Sequence, residues 1–277
     1  MENTKLQNEY RSGKSLSQLA KEFKISRWKV TKILKELGEI IVNRHNSLKF
    51  NEHYFDSIDT EEKAYWLGFI FADGCIMSKT YSFDLSLNHK DKEHIQKFAS
   101  AINFSGKLYI KKNCVACCLR SKHFWTTLYN YGCVPNKSLV LKFPKESIFK
   151  SNDLIRHFIR GYFDGDGCIS QHIYVYTVSP HVSILGTKNL LTSLISKSNI
   201  NGKFRHDSRH SENVFSLEFS KENGIKFINY IYSNSNIYLT RKYNKFLFFK
   251  TGSRSVEEFT ELLSGKNGEY LKLESWD

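Results

Sequence analysis

The sequence predicts an α+β fold: two related half-domains of antiparallel sheet and helix behind a small all-α unit. Three observations carry this. Apolar residues recur at helical spacing through residues 4–38. Between residues 61 and 250 one order of helix and strand signals occurs twice. In the strands of both copies apolar and polar residues alternate, as in a sheet with one covered and one wet face.

Residues 4–38 read as three short helices of a domain spanning 1–38. Leu16, Leu19, Ala20 and Phe23 share one helical face, and so do Val30, Ile33, Leu34 and Leu37. Ser26 suits the N-cap of the last helix and Gly38 its stop. Residues 39–60 are polar and aperiodic and are expected to be a linker. The first half-domain, 61–150, opens with AYWLGFIFADGCI (64–76) and the second, 151–250, with RHFIRGYFDGDGCI (156–169). The same 93-residue interval separates Gly68 from Gly161 and Asp73 from Asp166. After each opening run come a hairpin, a helix-like segment, a second hairpin and another helix-like segment, so each copy is α-β-β-α-β-β-α. Phe83, Leu85 and Leu87 face one side of a strand; Asp84, Ser86 and Asn88 face the other. Phe215, Leu217 and Phe219 alternate likewise with Ser216, Glu218 and Ser220. Cys114, Cys117 and Cys118 read as small apolar residues of a buried strand rather than zinc ligands. The tail, 251–277, is net acidic and offers one amphipathic helix around Val256–Leu263.

The chain carries 41 Lys+Arg against 28 Asp+Glu, a net charge of +13. Such a surplus points to a polyanion, nucleic acid or an anionic membrane surface. No apolar run is long enough to span a bilayer and the amino terminus has no signal-peptide pattern, so a soluble intracellular protein, cytoplasmic or in another compartment, with nucleic acid as its partner is expected.

The duplicated run holds the chemistry. A glycine inside an apolar helix costs about 1 kcal/mol against alanine, so Gly68 and Gly161 need a reason. Close approach supplies it: each copy's helix crosses the other almost backbone to backbone around a pseudo-twofold axis. Asp73 and Asp166 then end the two helices side by side. Two carboxylates there repel each other and oppose both helix dipoles, so a cation is expected between them. Carboxylate ligands favour Mg²⁺ or another hard divalent ion, which beside a phosphodiester activates water and stabilises the leaving oxygen. Asp164 matches Phe71 of the first copy and reads as incidental.

WLGFIFADG (66–74) and IRGYFDGDG (159–167) resemble the two motifs of the LAGLIDADG homing endonuclease family, over roughly residues 60–250. Both depart from the family at several apolar letters; neither departs at the final acidic position, which the family uses to bind metal. The resemblance implies a saddle of two antiparallel sheets over double-stranded DNA, with the paired acids cutting both strands across the minor groove to leave 3′ overhangs. Two unequal copies imply a monomer on an asymmetric site. The family tends to place a basic residue near each metal, and VPNKSL and LTRKY nominate Lys137 and Lys242. The spacings from the acids differ, 64 and 76 residues.

SLSQLAKEFKISRWKVTKIL resembles helix-turn-helix modules of resolvases and transposases, with Ile25 in the turn and Ser26–Leu37 as reading helix. Residues 1–38 hold nine basic and four acidic side chains. Arg27, Trp28, Lys29 and Lys32 are the expected DNA contacts there, and Lys107, Tyr109, Lys111 and Arg120 those on the first sheet. Two other functions suit the scaffold: a DNA-binding regulator that does not cut, marked by loss of the acids, and a maturase acting on intron RNA. An intein is disfavoured, because the chain has neither the initiating Cys or Ser nor the terminal His-Asn pair.

Overall fold

The computed structural model describes residues 2–12, 14–39, 49–206 and 213–263, which fall into two compact units divided at Lys49. Residues 40–48, inside the expected linker, and 264–277, most of the acidic tail, lie outside the described residues.

The first unit holds α1 (Glu2–Arg11), α2 (Leu16–Glu22) and α3 (Arg27–Glu36). Ser15 and Gln18 cap the start of α2 reciprocally, and Ser26 caps α3 by accepting from the Lys29 amide. Leu6, Tyr10, Leu16, Leu19, Val30 and Leu34 close a small core. Leu37, expected on the apolar face, is 37% exposed because α3 has already ended at Glu36.

The second unit begins with α4 (Glu61–Asp73), β1 (Gly74–Met77), β2 (Ser82–Asn88), α5 (Lys92–Ala101), β3 (Tyr109–Ile110), β4 (Cys114–Arg120) and α6 (Lys122–Tyr131). The order repeats as α7 (Asp153–Asp166), β5 (Gly167–Ile173), β6 (Thr177–Thr187), α8 (Lys188–Ser198), β7 (Lys203–His206), β8 (Val214–Phe219) and α9 (Lys221–Tyr232). The strand orders, β1-β2-β4-β3 and β5-β6-β8-β7, are the same, and every pair on those paths is antiparallel. Phe83, Leu85 and Leu87 are buried on the covered face of the first sheet, Leu217 and Phe219 on that of the second. The α+β repeat is therefore the fold. Cys117 is buried in β4, with Cys114 and Cys118 half-buried beside it.

Four features differ from expectation. Phe50, Tyr54, Phe55 and Ile58 are buried in the main core, so the second part of segment 39–60 is folded rather than linking. Its backbone turns instead of repeating, which hides apolar anchors from a periodicity reading. β3 pairs over two residues only, so Lys107 and Lys111 flank a strand rather than belong to one. An unforeseen helix, α10 (Thr240–Phe249), follows α9. Finally β9 (Arg254–Ser255) pairs with β6 and leads into α11 (Val256–Leu263), whose Phe259 is buried, so the start of the tail completes the second half-domain.

Candidate active site

α4 and α7 form the centre of the unit. Thr60 caps α4, Glu61 and Glu62 complement its dipole, and every residue from Ala64 to Phe71 is buried, because α4 meets a sheet on one side and α7 on the other. A Cβ placed on Gly68 would lie 2.0 Å from the Phe158 carbonyl oxygen, and one on Gly161 1.9 Å from that of Tyr65. The obstacle is backbone in both cases and cannot move aside. The interior glycines thus let the helices touch main chain to main chain.

A third small residue, Gly165, continues the contact towards the helix ends. A Cβ there would fall 2.2 Å from the Ala72 Cβ and 3.1 Å from an Asp73 carboxylate oxygen. Ala72 and Gly165 are equivalent in the repeat, and the glycine was visible in the sequence as the smaller member of a facing pair. Asp73 and Asp166 follow directly. Asp73 opens to solvent and Asp166 is half-buried, so both are reachable from outside.

Their charges are held in tension. Crowding by the protein, then the neighbouring Asp166, push the Asp73 carboxyl up to about 6, while Lys242, Lys137 and Arg241 pull it back. Asp166 is also raised, by desolvation, against Lys137, the Tyr162 hydroxyl and Lys242. The two lysines lie on matching carbonyls. Lys137 Nζ donates to the Ala72 oxygen at 2.8 Å. Lys242 Nζ lies 3.3 Å from the oxygen of Gly165, the equivalent position, and also reaches those of Phe163 and Asp164, both at 2.8 Å, and of Gly167. Each lysine therefore neutralises a helix carboxyl end beneath an acidic residue. Their unequal spacing in sequence has two sources: β5 and β6 are longer than β1 and β2, and Lys242 sits in α10 after a longer crossing from α9, whereas Lys137 sits in a turn soon after α6.

The halves differ below this level. Asp164 is fully buried and accepts hydrogen bonds from the Tyr65 hydroxyl (2.8 Å), the Tyr232 hydroxyl and the Leu239 amide (2.7 Å). Leu239 is the N-cap of α10, so Asp164 fixes the helix that carries Lys242. Arg160, also fully buried, donates to Glu61 at 2.7 Å and to the Ile231 and Ile237 carbonyls at 3.0 and 2.9 Å. Glu61 in turn accepts from the Asn236 amide at 2.7 Å. Burial, then the Arg160 charge, lower His157 to about 4, and its neutral Nδ1 accepts from Arg160 at 2.7 Å. Asp164, read from sequence as incidental, is instead the anchor of the 233–239 crossing. The signal was present: Arg160 and Asp164 stand four apart on the inward face of a core helix, where charge occurs only with partners.

The residues expected to meet nucleic acid lie on the surface. Arg27, Trp28, Lys29 and Lys32 are exposed on α3, Trp28 at 71%, with Lys32 Nζ 5.6 Å above its ring. An indole that open contributes nothing to the small core beneath it. Lys107, Tyr109 and Lys111 are exposed at and around the edge strand β3 of the first sheet, and Arg120 is exposed at the end of the inner strand β4, where its Nε donates to the Thr80 carbonyl at 3.0 Å. A cleft over the second sheet, lined by His181, Arg205 and Glu218 among others, runs up to Asp166.

The donor set at the helix ends suits a divalent cation. It consists of two carboxylates, both above their ordinary range, and neither lysine occupies them, since both direct N–H bonds to main-chain oxygens. An all-oxygen donor set suits a hard ion such as Mg²⁺, which takes oxygen ligands almost alone.

Residues 153–232 match the family model of the LAGLIDADG-like domain. No curated protein matches the chain in sequence. Among solved structures it is similar to the meganuclease I-SmaMI bound to uncleavable DNA with a TTCT central four: 13% identity, 76% of this chain and 99% of that one covered, TM-score 0.51. It is similar also to the I-LtrWI LAGLIDADG homing endonuclease bound to target DNA: 13% identity, 76% and 98% covered, TM-score 0.50. Among the described residues no helix is long and apolar enough to cross a membrane. The chain thus carries a LAGLIDADG-like domain at residues 153–232, within the fold of the LAGLIDADG homing endonucleases.

Proposed function

We propose that the chain is a site-specific endonuclease that cuts both strands of double-stranded DNA at a long asymmetric target, leaving 3′ overhangs. The observation that carries this reading is the convergence of Asp73 and Asp166 on one helix crossing, each above a lysine bound to an equivalent carbonyl. The two relatives named above are described with DNA bound, which supports DNA as the partner.

Asp73 and Asp166 would hold Mg²⁺, which when bound lowers the pKa of coordinated water and stabilises the leaving oxygen of the phosphodiester. The protein's own part is preorganisation. The glycine contact fixes the carboxylates relative to each other, so no side-chain ordering is needed at the moment of reaction. Lys137 and Lys242 hold positive charge beside the reacting phosphates and keep the helix ends from repelling them. The exposed basic face of α3 would extend the contact with DNA as a helix-turn-helix element, and Lys107, Tyr109, Lys111 and Arg120 on the first sheet would touch backbone phosphates. One chain supplies both halves, so a monomer suffices. A regulator that binds without cutting would have no use for the retained acids.

The test is incubation of the full chain with randomised duplex DNA and Mg²⁺, followed by sequencing of the ends. One enriched sequence with staggered 3′ ends is expected. Asp73→Asn and Asp166→Asn should each lower double-strand cutting at least 10³-fold while retaining binding. Undiminished cutting by both variants would remove the site assignment, and binding of duplex DNA without any cutting by the intact chain would remove the nuclease reading.

A further inference from the structure

Away from the helix crossing, three side chains converge on the surface where the second unit begins. His53 Nδ1 lies 2.8 Å from one oxygen of the Asp56 carboxylate, and His123 Nε2 lies 2.6 Å from the other. The imidazole centroids are 4.3 Å apart. One donor atom from each of the three residues falls within 4.8 Å of those of the other two.

The convergence is built into the backbone. Residues 53–56 form a turn closed by the Asp56 amide on the His53 carbonyl at 3.1 Å, which brings the two side chains together. His123 lies in the first turn of α6, whose N-cap Ser121 accepts from the Phe124 amide and donates its hydroxyl to Glu52. At the other end of α6 the Tyr131 hydroxyl donates to the Phe55 carbonyl at 2.8 Å. Phe50 and Phe55 pack on Phe124 with ring centroids 5.4 and 5.6 Å away. Every ligand position thus has a buried aromatic neighbour in the chain, while the three polar side chains remain open to solvent. Both segments are fixed, so their donors need only small side-chain rotations to close on an ion.

We propose that His53, Asp56 and His123 form a site for a borderline transition-metal ion, Zn²⁺ or a chemical equivalent such as Co²⁺, distinct from the paired carboxylates. Two imidazole nitrogens and one carboxylate oxygen match the preferences of these ions and not those of Mg²⁺, which takes oxygen ligands almost alone. The bound ion replaces the hydrogen-bond protons that now link the rings to Asp56, and water completes its coordination. The site clips the turn that follows residues 40–48 to α6, so it stabilises the start of the second unit. Nothing in it depends on the cutting reaction.

The test uses the full chain, without a polyhistidine tag and stripped by chelator, carrying Asp73→Asn and Asp166→Asn so that the acid pair cannot bind the ion. Titration with Co²⁺ should give one saturable equivalent with visible d–d absorption, and Zn²⁺ should raise the thermal midpoint by roughly 5 °C or more at saturation. His53→Ala and His123→Ala, each at an exposed residue, should lose both signals while keeping the metal-free midpoint. Absence of saturable binding at 1:1 stoichiometry overturns the proposal, and so does binding that survives both histidine variants.

Discussion

The two half-domains share strand order, helix order and the acidic helix end, yet they support their lysines by opposite means. In the first half the positions equivalent to Arg160 and Asp164 are Leu67 and Phe71, both buried among apolar neighbours, and Phe71 lies against Gly132 just beyond α6. Lys137 follows on a short loop, half-exposed, bonded to one carbonyl. In the second half Arg160 and Asp164 bind a long crossing from below, and Lys242 is buried on a cluster of carbonyls. A short loop needs only packing to aim its lysine. A long one carries more unpaired backbone, and the buried charges satisfy it. Symmetry at the acidic helix ends therefore coexists with asymmetry in their supports.

That contrast can be broken most strongly at Asp164. Asp164→Leu imitates the apolar first half but strands two hydroxyls and the amide that starts α10. It should cost about 3–5 kcal/mol in urea unfolding, whereas Phe71→Leu should cost about 1 kcal/mol. Equal costs would show that the polar lattice is not what holds the crossing. The glycines test the shared part. Gly68→Ala and Gly161→Ala meet backbone at nearly the same distance and should destabilise alike, by about 3 kcal/mol.

The lysines sharpen the comparison. Lys137→Met and Lys242→Met should each slow cutting about 10²-fold, with nicked DNA accumulating, but only Lys242→Met should also lower stability, by about 1–3 kcal/mol. Comparison of cleavage rates with unfolding midpoints separates the two effects. Burial, offset by Asp164, lowers Lys242 to about 8, so above that pH it loses its charge and cutting by the intact chain should fall. A smaller effect comes from Asp73. Its carboxyl holds a proton below about 6 that a divalent ion must displace. Mg²⁺ affinity measured by calorimetry should rise about tenfold per pH unit up to that point and then level off.

Much of this organisation is legible in the sequence because duplication amplifies weak signals. One Asp-Gly after an apolar run is an ordinary helix end, but the same pair after an interior glycine at a fixed interval places a helix crossing and its carboxylates together. The positions of Lys137 and Lys242 were readable from the last helix of each copy, although the unequal spacing concealed their equivalence. The Asp164 lattice was not readable. Its partners Tyr65, Tyr232 and Leu239 are far away along the chain, and no local period marks them. Residues 50–58 were lost for a related reason, since turns bury Phe50, Tyr54, Phe55 and Ile58 without repeating.

The central claim is that carboxylates from two unequal halves jointly hold one region of divalent charge. Crystals of the protein with DNA and Mn²⁺, measured at the manganese absorption edge, test it most directly. Anomalous density in contact with both Asp73 and Asp166 is the expected result. Density confined to other residues, or its persistence at the helix crossing in the Asp73→Asn, Asp166→Asn double variant, would contradict it.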